Sequence, residues 1–317
     1  MLHVRVASPA DRTGQLVERL AAQPGVRNLV VLAEARRPDG DVVQFDVRDG
    51  AANPVFETLR GQGLDRDGLV SVERVDAVLD QGTVSHTRTR YLTPEVAPVW
   101  EMVEATIRSG AAYPPSFFVL LTIAGLIGAA GILTNSQILI VGAMVVGPEY
   151  NAIIAVALGI SKKERGTVRS GLLALLWGFL AAVLVTLAFG LVIRGLGATP
   201  AKYLVGVRPV ADLINTPNLF SVVVAVLAGI VGVVSLTEFR ANALIGVFIS
   251  VTTIPAAADI GVSLAFGSWH EASGSALQLL LNVVLLLVVG AGGLTTQHAI
   301  WRRLGARQRT LPLNPPR

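Results

Sequence analysis

Two carboxylic acids stand inside long apolar runs. Glu149 lies in QILIVGAMVVGPEYNAIIAVALGI, and Asp259 lies in NALIGVFISVTTIPAAADIGVSLAFG. A charged side chain at the middle of a bilayer costs about 2.5–3.5 kcal/mol on insertion scales, so an acid kept there needs a partner or a task. Each acid also stands near a proline, Pro148 in the first run and Pro255 in the second. Proline withholds a backbone donor and frees a carbonyl one turn earlier. Gly147, Pro148 and Pro255 are therefore the expected helix breaks. Tyr150 and Asn151 add polar atoms at the depth of Glu149. Thr252 and Thr253 offer hydroxyls that can satisfy backbone groups a proline disturbs. Asn282 lies four residues after Gln278 in a further apolar run, so the two amides share a helix face. A broken helix with free carbonyls and a carboxylate has the chemistry of a proton or cation site. The expected ion- or substrate-binding set is Glu149, Asp259, Asn151, Tyr150, Thr252, Thr253 and Asn282. The competing reading is a buried structural tie between spans. If the two broken runs cross, Glu149 and Asp259 share one cavity and couple their protonation.

Other chemistry is poorly supplied. The chain has no Cys, which excludes thiol catalysis, disulfides and thiolate metal sites. His86, His270 and His298 lack metal-ligand spacing, and no phosphate-loop, nucleophile-elbow or HExxH pattern occurs. Asp39-Gly40-Asp41 reads as a hairpin turn rather than a calcium loop. The expectation is a protein that is not an enzyme, with no metal and no cofactor.

The surroundings of the acids are those of a membrane protein. Of 317 residues, 52% are hydrophobic and only 15% charged, against about 25% charged in soluble proteins. The mean hydropathy is +0.60. Charge is divided unevenly. Residues 1–113 hold 13 Lys/Arg and 16 Asp/Glu, whereas 114–317 hold 13 and 6. The basic excess sits beside apolar runs, which argues against nucleic acid as a partner. Six runs are long enough to cross about 30 Å of hydrocarbon, near 114–133, 137–160, 168–193, 218–236, 242–266 and 275–299. With the N-terminus inside, Lys162, Lys163, Arg165, Arg169, Arg240, Arg302, Arg303, Arg307, Arg309 and Arg317 are inside, against Arg194, Lys202 and Arg208 outside. The positive-inside rule thus puts both termini in the cytoplasm of a multi-pass plasma-membrane protein. Tyr113, Trp269 and Trp301 fall near the interfaces. Six spans divide three and three, and the middle span of each half carries a proline near an acid. That pattern is expected of an inverted repeat. Gly125, Gly128 and Gly131, with Gly229 and Gly232, make flat faces for helix packing. Asn135-Ser136-Gln137 is a tight turn that can cap the second span. Self-association into a homo-oligomer is also expected.

Residues 1–82 read as a separate α+β domain. Leu2, Val4 and Val6 alternate as a strand, and Leu16, Val17 and Leu20 mark a helix between Asp11 and Gln23. Val26–Arg37 and the alternating Val43, Phe45 and Val47 are strands around an Asp39-Gly40 turn. Asn53-Pro54 is an expected N-cap and first helical position ahead of Val55, Phe56 and Leu59. Val70–Leu79 closes the order βαββαβ, the ferredoxin-like pattern. The opening MLHVRVASPADR lacks an apolar core and does not read as a secretory signal. Residues 83–112 form a linker and an amphipathic helix over 94–110, with Val96, Val99, Trp100, Val103 and Ile107 on one face. Residues 113–301 are the six-span domain, and 302–317 a basic cytoplasmic tail.

The stretch from Asn135-Ser136 through Gly142-Ala143-Met144 to Pro148, followed by Ala157-Leu158-Gly159, resembles the prokaryotic membrane family termed domain of unknown function 389. Gly246 to Gly261, where an apolar run meets proline and alanines, is similar as well. The resemblance spans about residues 110–270. It implies a multi-span membrane protein and brings no substrate with it.

Together these features lead to one expectation. The chain is a proton- or cation-coupled transporter of a small solute, with a cytoplasmic regulatory domain and the lipid bilayer as its environment. The alternatives are a membrane sensor or scaffold without transport, and an oligomeric channel.

Overall fold

A computed structural model describes residues 1–36, 39–64, 69–75, 100–206, 209–237 and 252–308. They fall into two units, one of Met1–Val103 with the chain end from His298, the other of Glu104–Gln297.

In the first unit the order is β1 (Leu2–Ser8), α1 (Ala10–Ala21), β2 (Val26–Arg36), β3 (Asp39–Val47), α2 (Asp49–Gly61) and β4 (Val70–Arg74). The strands form one antiparallel sheet in the order β2-β3-β1-β4. The period-2 pattern decides which face is covered. Leu2, Val4 and Val6 of β1, with Val43, Phe45 and Val47 of β3, pack against Leu16 and Leu20 of α1 and Val55, Phe56 and Leu59 of α2. Each such side chain contributes about 1.5–3 kcal/mol on burial. The pairing of β2 with β3 shifts twice, and Asn28 and Glu34 take left-handed backbone angles at those shifts. The first shift lets Asn28 donate to Asp46 Oδ2 at 2.6 Å, while His3 Nδ1 lies 2.8 Å from Asp46 Oδ1.

Two local expectations are corrected. Asp39 and Gly40 are not the turn, because they already pair with Arg36 and Ala35. Gly40 (φ +131°) instead lets the backbone approach β1, where any Cβ would strike the Ser8 carbonyl. Asn53-Pro54 does not open α2. The helix begins at Asp49, carrying Pro54 inside, because the helix-favouring Ala51 and Ala52 extend it and Ala52 is fully buried. The end expected for β4, 76–79, and the start expected for the amphipathic helix, 94–99, lie outside the described residues. That helix, α3, runs Trp100–Ser109, with Trp100, Val103 and Ile107 buried as its spacing requires.

In the second unit the described helices are α4 (Pro115–Thr134), α5 (Gln137–Val146), α6 (Glu149–Lys162), α7 (Arg165–Gly195), α8 (Ala201–Leu204), α9 (Pro209–Asn215), α10 (Leu219–Thr237), α11 (Thr253–Ala265) and α12 (Trp269–Gln308). Four are long and apolar enough to cross a membrane: α4, α7, and most of α10 and α12. The second expected span is a bent pair, α5 and α6, kinked by 50°. The fifth expected span is described only from Thr252, where the short apolar α11 begins. Among the described residues, the other expected spans are thus four long helices and one bent pair, and α11 is the described part of the fifth. The chain end is also helical to Gln308, seven residues beyond the expected boundary at 301. These apolar helices fit a membrane protein.

Packing follows the small residues. Apart from Ile260 and Leu264, every residue of α11 is buried, and α11 contacts α4, α5, α7 and α9. Its Ala256-Ala257-Ala258 run admits neighbours closely, which is how helices associate where lipid offers no hydrophobic drive. Gly128 of α4 faces Ala258, and Gly190 of α7 faces Ala265. At the far end of α11, Arg194 donates to the Ala265 carbonyl at 2.8 Å. A cation there complements the negative helix terminus. Meanwhile α7 exposes Leu176, Trp177, Leu184 and Val192, the apolar outer surface that lipid requires.

Candidate functional site

The site is built where two helices begin. Gly147 and Pro148 end α5 and reset the chain direction, and Glu149 is the first residue of α6. Thr253 is the first residue of α11, and Pro255 stands in its first turn. Prolines suit such positions because the first N–H groups of a helix have no intrahelical acceptor. Thus Pro148 stands between α5 and α6, and Pro255 in the first turn of α11.

The two starts touch. Thr253 Oγ1 donates to Glu149 Oε1 at 2.8 Å. Glu149 is 7% exposed and Thr253 1%. Glu149 also has its own backbone amide against the carboxylate. Its Oε2 is buried with no side-chain partner among the described residues, and it lies over Gly147. A side chain on Gly147 would collide with Ile254 and with that oxygen. Two helix N-termini, each with a partial positive charge near half an electron, therefore converge on one buried carboxyl.

A polar face on α12 completes the cluster. Asn282 Nδ2 donates to Thr252 Oγ1 at 3.1 Å, and Gln278 Nε2 donates to Asn282 Oδ1 at 3.2 Å. Ser275 Oγ donates to Asp259 Oδ2 at 2.6 Å. The rungs Thr252–Asn282 and Asp259–Ser275 are spaced seven residues apart on both segments. Two turns of helix on each side, about 10 Å at 1.5 Å per residue, separate them. So α11 and α12 run antiparallel with matched polar positions.

The expected site residues are thus distributed. Glu149, Thr252, Thr253 and Asn282 come together. Asp259, fully buried, occupies the other rung with its own hydroxyl partner. Tyr150 is buried with its hydroxyl packed over Gly232 of α10. Asn151 is on the exposed side of α6, close to Gly110. Ser275 was not among the expected residues. Its signal lay in the sequence as a polar stripe, Ser275, Gln278 and Asn282, at i, i+3 and i+7 in an apolar run. Ser136 caps α5 by accepting from the Leu139 amide at 3.4 Å, as the tight turn implies. Among the described residues no three His, Asp or Glu gather as metal ligands.

At the start of α7 the charges are paired across the loop. Glu164 accepts from Arg108 at 2.6 Å and from Thr167 at 3.1 Å, and Lys162 pairs with Glu104. The Arg108 guanidinium, helped by Thr167, holds the Glu164 carboxyl below the ordinary range against a smaller opposing effect of burial.

Residues 144–288 match the family described as "Domain of unknown function (DUF389)". The matched segment takes in the Gly147-Pro148 break, Glu149, α11 and the polar face of α12, and leaves out the Asn135–Ala143 part of the sequence resemblance. No curated protein and no solved structure matches the chain.

Proposed function

We propose that this chain moves a small solute across the plasma membrane and that Glu149 carries the coupling proton. One observation supports this above the others: two helices start afresh inside apolar runs, and their first residues meet through a buried carboxyl. Helix N-termini favour the carboxylate, and apolar surroundings favour the neutral acid. A group held between such opposing influences can exchange a proton when its surroundings change. Half-helices that begin near the midplane are a recurring way to build solute sites in transporters.

With both termini cytoplasmic, α6 runs from mid-membrane inward and α11 from mid-membrane outward. Their starts then face each other as the middle spans of an inverted three-plus-three repeat. Thr252, Thr253 and Asn282 gather at that point, with Gln278 behind Asn282, and in the proposed cycle they exchange bonds to one another for bonds to a polar solute. Gly147 and Pro148 form the hinge. Asp259 has a different part. Its full burial and its bond to Ser275 suit a tie that holds α11 on α12. The ferredoxin-like N-terminal domain, without thiol ligands, serves regulation or self-association.

The test uses the purified full chain in liposomes with a trapped pH dye and an imposed pH gradient. Small polar solutes are added one at a time. A solute that drives proton movement in the wild type should lose that effect in Glu149→Gln and keep part of it in Glu149→Asp. Gradient-driven uptake unchanged in Glu149→Gln would overturn the proposal. Solute passage that is insensitive to the gradient would favour the channel alternative.

A further inference from the structure

A cleft of about 610 Å³ opens along α6 and α7 where the two join. Lys163, Arg165 and Arg169 stand at its polar part, and Ile160, Leu172 and Leu173 form apolar wall. These three apolar side chains are exposed. The acids nearby are already engaged, Glu164 by Arg108 and Glu104 by Lys162. Among the described residues none of Lys163, Arg165 and Arg169 pairs with a carboxylate. Three cations gathered on one opening repel one another, and an anion placed between them removes that repulsion.

The backbone adds an independent sign. Lys163 ends α6 with φ +59°, in the left-handed region. The Glu164 amide bonds to the Gly159 carbonyl at 2.8 Å and the Lys163 amide to Ile160 at 3.2 Å. This helix ending ordinarily takes glycine at the left-handed position. A lysine there bears a backbone cost, and its side chain lines the cleft.

We propose that this cleft binds an anionic phospholipid. The phosphate sits among Lys163, Arg165 and Arg169, and an acyl chain lies over Ile160, Leu172 and Leu173. The positive-inside rule accounts for basic residues on this face. It does not account for their gathering on a cleft continuous with exposed apolar wall, nor for a lysine at a glycine position. Free phosphate would use the cations and leave the wall bare, so the amphiphile is the better fit.

The test is native mass spectrometry of the full chain in detergent with phosphatidylglycerol or phosphatidylcholine added. The wild type should retain phosphatidylglycerol in preference. Lys163→Gly keeps the backbone conformation and removes one cation, so the chain should fold at least as well while the preference falls about five-fold. Replacing Lys163, Arg165 and Arg169 together by Gln should lower it about 100-fold. Leu172→Trp, which fills the wall without changing charge, should also release the lipid, and Arg169→Lys should keep it. Equal retention of the two lipids, a preference untouched by Lys163→Gly, or displacement of phosphatidylglycerol by inorganic phosphate would each overturn the assignment.

Discussion

Replacing Thr253 by Val removes one hydroxyl and preserves shape, so it isolates the bond that joins α6 to α11. The bond is 2.8 Å long between groups 1% and 7% exposed, so water cannot easily replace it. Hydrogen bonds between membrane helices average about 0.6 kcal/mol and reach about 1.7. Bonds to charged groups run about 1.5–3 kcal/mol. The short, buried bond to a carboxyl belongs near the upper membrane value, so Thr253→Val should cost about 1–2 kcal/mol. Thr253→Ser keeps the hydroxyl and loses one methyl, for a cost of about 0.8 kcal/mol. A double-mutant cycle with Glu149→Met, which removes the acceptor oxygen that Gln would keep, separates the bond from the packing around it. Equilibrium unfolding in mixed micelles, titrated with a denaturing detergent and followed by circular dichroism, gives the four free energies. Coupling of about 1 kcal/mol is expected. Coupling below about 0.3 kcal/mol, within the additivity of distant sites, would refute the view that these helix starts are joined through Glu149.

Gly147→Ala drives a methyl into Ile254 and Glu149 Oε2. It should destabilise by about 1–3 kcal/mol, the range for overpacking. In the same unfolding assay the double variant with Ile254→Ala should lose less than the sum of the two single losses, because the second change clears the colliding atoms. In the N-terminal unit, burial opposes ionisation of Asp46, yet bonds from Asn28 and His3 and the charge on His3 together hold its carboxyl below the ordinary range. A depressed carboxyl contributes stability that is present above its unfolded value, about 3.9, and lost as pH falls through the folded one. Thermal unfolding against pH should therefore show a loss of stability as pH falls below about 4. Asp46→Asn should flatten that dependence.

Much of this arrangement was readable in the residues. Period-2 alternation in Val43, Phe45 and Val47, and helical spacing in Leu16 and Leu20, placed both layers of the first unit. The apolar runs placed the long helices, because length and hydropathy alone decide whether a segment can cross a bilayer. Gly147 and Pro148 fall between α5 and α6. What the sequence did not reveal is which face of a helix turns inward when every residue around it is apolar. Asn151 and Glu149 are two residues apart, yet one is exposed and the other buried. Pro255 stands in the first turn of α11, a position that suits proline as well as a helix middle is broken by it, so the residue type alone does not tell the two apart. The matched rungs of α11 and α12 depend on register between distant segments, which no local pattern encodes. Asn53-Pro54 shows the same limit at small scale. A good capping pair was overruled by two alanines that extend the helix and bury one of them.

The central claim is that polar solute and water reach the point where α6 and α11 begin. The chain has no cysteine, so Thr252→Cys creates a unique thiol at that point. Sealed membrane vesicles of both orientations can be exposed to a small, charged, membrane-impermeant thiol reagent at several pH values. The account predicts modification of Cys at this position from at least one side, with a rate that changes when Glu149 is replaced by Gln. A thiol that stays unmodified from both sides at every pH, while the same reagent modifies Lys163→Cys, would contradict it.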